Sequence, residues 1–91
     1  MIRYTVQVEN ELGLHARAAA KLVRLASRFV SDVHLAREGV RQQIDSKSIL
    51  GILMLAASKG TRLIVSIEGR DEAEAGEAIC RLFADKFGEA N

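Results

Sequence analysis

The chain has 91 residues, with 13 basic against 12 acidic side chains, one Cys, and neither Pro nor Trp. That length supports one core and no deep cleft between domains, so residues 1–91 are expected to form a single domain. A hydrophobic share of 48% beside 27% charged residues excludes disorder and membrane insertion, while a net charge of +1 and 4% aromatics argue against nucleic acid as a partner.

Ile2, Tyr4, Val6 and Val8 alternate with Arg3, Thr5 and Gln7, the period of a strand with one wet face. The start carries no apolar leader segment, and a single cysteine cannot close an internal disulfide. Both point to the cytoplasm. Asn10–Gly13 reads as a loop. From His15 the period becomes helical, with Ala19, Leu22, Val23, Ala26, Phe29 and Val30 on one stripe. Asp32–Arg37 is a second strand with Val33 and Leu35 inward; Glu38-Gly39 turns the chain, and Val40–Ile44 returns as a short partner.

Ser46 or Ser48 caps a second helix that runs to about Ser58, with Gly60 as its stop. Its apolar run, Ile49–Ala57, is broken by Gly51 and spans about half of a bilayer crossing. Leu63, Val65 and Ile67 mark a fourth strand. Asp71 reads as the cap of the last helix with Glu74 at the capping-box position, and Ala75, Ala78, Ile79, Leu82 and Phe83 form its stripe. Gly88 to Asn91 reads as a frayed tail. The order β-α-β-β-α-β-α with a wet-faced first strand predicts an α+β open-faced sandwich. Four antiparallel strands would be covered on one face by three helices.

His15 falls where loop meets helix. The free N–H groups and partial positive charge there disfavour an imidazolium, keep the ring nucleophilic, and welcome a dianion. Arg17 adds a fixed cation. A phosphoryl group on the ring fits both demands, although a plain capping histidine has the same spacing. Arg17, Lys21, Arg24 and Arg28 recur as a basic stripe, read either as a solvated face or as a guide for an acidic partner. Acidic residues gather at 71–77, so a nearly neutral chain is polarised. In the second helix Ile52 and Leu55 share an arc with Gly51, while Ile49, Leu50 and Leu53 lie opposite. A helix on a one-sided sheet buries only one of these arcs, leaving the other for a partner, a covering loop or a second copy. His34 and Cys80 are isolated from each other and from carboxylates, so no metal or cofactor is expected.

Together, GLHARAA at 13–19, KSILGILMLA at 47–56 and KGT at 59–61 resemble the phosphocarrier protein HPr family of the bacterial phosphotransferase system over the whole chain. The resemblance implies a monomeric carrier, not an enzyme. His15 would accept a phosphoryl group on Nδ1 from phosphorylated enzyme I and pass it to EIIA-type proteins, with Arg17 neutralising the phosphate. Ile49, Leu50 and Leu53 would form the docking patch, flanked by Leu12 and Leu14, with Lys21 and Arg24 beside it. It also implies a regulatory phosphoserine made by HPr kinase/phosphorylase and read by a transcriptional regulator. Matching KSILG selects Ser48, whereas counting from the N-terminus selects Ser46. Ala18 departs from the proline that most members carry there. That departure leaves open a regulatory, nitrogen-related branch acting mainly by protein binding rather than sugar uptake.

Overall fold

The computed structural model describes residues 1–90. The elements are β1 (Ile2–Gln7), α1 (Ala16–Ala26), β2 (Asp32–Arg37), β3 (Ile44–Asp45), α2 (Ile49–Met54), β4 (Arg62–Glu68) and α3 (Glu72–Ala84), then a 3-10 turn at Lys86–Gly88. All strand pairs are antiparallel, in the spatial order β1-β4-β2-β3. The order and architecture are those the sequence predicts.

Register explains the single core. Val6 pairs with Leu63, and Val65 stands between Tyr4 and Leu35, so one face of the sheet is apolar across the strands. Helical Leu22, Ile52, Ile79 and Phe83 join Val33, Leu35, Leu63, Val65 and Ile67 in the same buried cluster. Burying each such side chain contributes about 1.5–3 kcal/mol. On the other face Arg3, Thr5 and Gln7 remain exposed. α3 lies against β1 because Gly76 makes room for the Tyr4 ring, which any Cβ there would strike.

Several element ends differ from the reading, each for a local reason. α1 stops at Ala26, so Arg28 is off the helix and Val30 is 62% exposed. The Asp71 carboxylate accepts the Val30 and Ser31 N–H groups at 2.9 and 3.0 Å, and the Ser31 hydroxyl also. Those bonds hold the chain in a turn. Asp71 therefore makes no side-chain cap on α3, and Glu72, not Glu74, reaches back to the Gly69 N–H at 3.1 Å. β3 shrinks to two residues and Val40 is 50% exposed. Arg41, Gln42 and Gln43 gain nothing from burial at a sheet edge.

α2 ends at Met54 rather than near Ser58. Arg37 captures the carbonyls of Leu55 and Ala56, and Ala56 takes φ +48, which stops the helix. Gly60, at φ +92, belongs instead to the turn before β4, where its N–H donates to Val8 O at 2.8 Å. The segment from Gly88 is not frayed at its start, where the Gly88 and Glu89 N–H groups donate to Asp85 O and Lys86 O at 2.9 and 3.0 Å. Phe87 is fully buried, with its ring edge-on to Phe83 at 4.9 Å between centroids. This burial offsets left-handed backbone at Lys86 (φ +55) and Phe87 (φ +57). Asn91 lies outside the described residues.

Candidate functional site

His15 caps α1 from extended backbone (φ −76, ψ −179), and its Nδ1 accepts the Arg17 N–H at 3.3 Å. Its Nε2 meets Glu89 Oε2 at 2.6 Å. A carboxylate accepts, so Nε2 carries the proton and the Nδ1 lone pair faces the start of the helix. The imidazole stays 26% exposed, enough for another protein to reach it.

Glu89 is itself held. Its other oxygen accepts from Asn10 Nδ2 at 3.1 Å, and the same nitrogen donates to Gly13 O at 2.7 Å. The His15 hydrogen bond foremost, then that from Asn10, holds the Glu89 carboxyl below its ordinary value. Glu89 and Asn10 were missed by sequence reasoning. Glu89 lies in the segment read as frayed, and Asn10 in one read only as loop. The buried Phe87 anchor was the available signal, an aromatic residue just past the last helical stripe.

Arg17 is exposed beside His15 and lines an open cleft with Leu12, Lys21 and Glu89. Lys21 is only partly available to a partner, because its Nζ donates to Phe87 O at 2.5 Å and ties the tail to α1. Arg24 is exposed in the last turn of α1. The basic stripe is thus two exposed guanidinium groups on the helix, one committed lysine, and Arg28 beyond it.

The two arcs of α2 separate as expected. Ile52 is buried, while Ile49, Leu50 and Leu53 are 44%, 67% and 38% exposed. Met54, four residues after Leu50 and so on its face, extends the patch at 72% exposure. Leu12 is exposed, but Leu14 is buried and cannot flank a docking surface. Ser48 is the half-exposed cap of α2, its Oγ accepting the Gly51 N–H at 3.2 Å. Ser46 is fully buried, out of reach of a modifying enzyme. Ala18, where the resemblance expects a proline, is fully buried in the core.

Glu89 is one of several carboxylates that bind pH to stability. Hydrogen bonds from Ser31 to Asp71 and from the Gly69 N–H to Glu72 also hold these groups below their ordinary values. A depressed carboxylate contributes stability that is complete above its unfolded value, near 4, and is lost as pH falls through the folded one. The melting temperature should therefore decline on acidification below about pH 4. An unchanged melting temperature down to about pH 3 would contradict these contacts.

Fold and site define an open-faced α+β domain of the small carrier type, with a partly exposed imidazole at a helix start. The model of the PTS HPr component phosphorylation site matches residues 2–85, and the chain belongs to this HPr family of the phosphotransferase system. It is 47% identical to the phosphocarrier protein HPr of Cupriavidus necator over 98% of each chain. With that of Neisseria meningitidis identity is 43%, again over 98% of each. Among solved structures, HPr-C-His from Thermoanaerobacter tengcongensis superposes with a TM-score of 0.93 at 40% identity, covering 100% of both chains. The Bacillus subtilis catabolite repression protein Crh, described as a swapped dimer, gives 0.73 at 38% identity over 94% of this chain and 97% of its own.

Proposed function

We propose that His15 accepts a phosphoryl group on Nδ1 from a phosphorylated enzyme I and passes it to an EIIA-type protein. The observation that carries this reading is the division of labour on the ring: Glu89 occupies Nε2, leaving the Nδ1 lone pair at the helix start. As Nδ1 bonds to phosphorus, the bond from phosphorus to the donor's leaving group breaks and the ring becomes cationic. Glu89 stabilises that charge, while Arg17 and the first N–H groups of α1 face the phosphate. A half-exposed site keeps the phosphoryl group transferable, because a deep anion well would trap it.

Ile49, Leu50, Leu53 and Met54 serve as the docking surface for both partners, with Leu12 and Arg24 at its rim. Ser48 is the position open to regulatory phosphorylation. This reading takes the monomer as the working unit. The Cupriavidus necator and Neisseria meningitidis relatives are named phosphocarrier proteins, and no observation favours the nitrogen-related reading.

The direct test is incubation with enzyme I and labelled phosphoenolpyruvate, followed by an EIIA. The protein should take up label and hand it on; a native protein that stays unlabelled would sink the proposal. Leu50→Asp adds a charge to the middle of the apolar patch without touching the core. It should raise KM for enzyme I on the order of tenfold or more, with the melting temperature unchanged. An unaltered KM would remove α2 from the docking surface.

A further inference from the structure

Arg37 stands at the end of β2 and takes no part in the chemistry described so far. Its guanidinium donates to Leu55 O twice, from Nε at 3.2 Å and Nη2 at 2.9 Å, and Nη2 also donates to Ala56 O at 3.0 Å. These carbonyls flank the turn that ends α2. Ala56 sits there at φ +48, in the left-handed region that a residue with a Cβ occupies only when its surroundings hold it.

The next carbonyl leads to the site. Ala57 O accepts the Leu14 N–H at 2.9 Å, one residue before His15. Gly13 packs so closely that a Cβ on it would stand 2.6 Å from the same oxygen. The backbone that carries His15 thus rests on the turn that Arg37 grips.

We propose that Arg37 is a positioning residue for the His15 site: it holds the left-handed Ala56 turn and, through the Ala57 carbonyl, fixes the backbone from which His15 projects. This rests on the phosphocarrier reading for its kinetic consequence, but the geometric claim stands without it. The docking patch is anchored separately by Ile52, which is buried in the core. Arg37 therefore governs the rate of transfer in the docked complex rather than docking itself.

The test uses Arg37→Ala and Arg37→Lys, each with and without Ala56→Gly. Nitrogen NMR of the free protein reads the Leu14 amide and the His15 ring, and steady-state transfer from phosphorylated enzyme I gives kcat and KM. Arg37→Ala should shift the Leu14 amide resonance and lower kcat about tenfold, since small misplacements of a reacting group are costly, with KM nearly constant. Lysine, whose single ammonium still reaches one carbonyl, should recover part of the loss. Glycine at position 56 removes the strain that Arg37 holds, so the loss should be smaller in that background.

An unmoved Leu14 resonance with unchanged kcat would overturn the proposal. So would a raised KM at constant kcat, or an equal loss in both backgrounds. If Arg37→Ala does not fold, Arg37→Lys carries the same readings, and wild-type behaviour there overturns it. Failure of the native protein to accept label would remove the carrier reading alone, because the NMR comparison needs no partner.

Discussion

A His15→Ala variant is expected to take up no phosphoryl group from phosphoenolpyruvate and enzyme I, while keeping the fold. The second histidine, His34, lies in β2 with Ser66 and Asp45 as cross-strand neighbours and caps no helix. It has neither the N–H groups nor the guanidinium that would receive a phosphate. Label persisting in His15→Ala would defeat the assignment outright. Glu89→Gln supplies the graded counterpart. The amide preserves shape and can still accept from Nε2, but no longer offsets the positive charge that the ring acquires. Acceptance should slow about tenfold, corresponding to the loss of one charge-assisted hydrogen bond in the transition state. A wild-type rate would make the carboxylate incidental.

Gly13→Ala is expected to be strongly damaging for a single added methyl. Its backbone is at φ +69, and the added Cβ would stand 2.6 Å from Ala57 O and 2.9 Å from the Ser58 Cα. Left-handed alanine costs about 1–2 kcal/mol and overpacking about 1–3 kcal/mol. Both colliding atoms belong to backbone, so no rotamer change relieves them. Urea unfolding should reveal a loss of about 3 kcal/mol, accompanied by slower phosphoryl acceptance as the Leu14–Ala57 hydrogen bond breaks. A loss below about 0.5 kcal/mol would mean that the loop yields freely and does not fix His15. Gly39 offers the contrast, since at φ +85 it has open space around it, and alanine there meets only the conformational penalty.

Much of this protein was legible in the sequence because it rests on local rules. Alternation in β1, β2 and β4 and the stripes of α1 and α3 gave the architecture, since period reports which face meets the core. His15 and Arg17 were legible for the same reason: a helix start is a local event, and its electrostatics follow from the backbone. The arcs of α2 could also be drawn in advance, but choosing which one to bury required the sheet beneath Ile52.

Tertiary structure decided what long-range partners decide. The stripe of α1 continues to Val30 in the sequence, whereas the carboxylate that stops the helix, Asp71, comes from the residue just before α3. α2 was read too long because Arg37, from β2, takes the carbonyls that the next helical turn would have used. The tail reads as frayed because it shows no periodic stripe or cap; Phe87 in the core and His15 near the other end of the chain hold it in place. Length and composition alone describe a small, nearly neutral domain too short for a deep cleft between domains. The sequence by itself turned that into a histidine at a helix start, while only the folded chain placed a carboxylate on Nε2 and turned the Nδ1 lone pair toward the first N–H groups of α1, because that carboxylate arrives from 74 residues away.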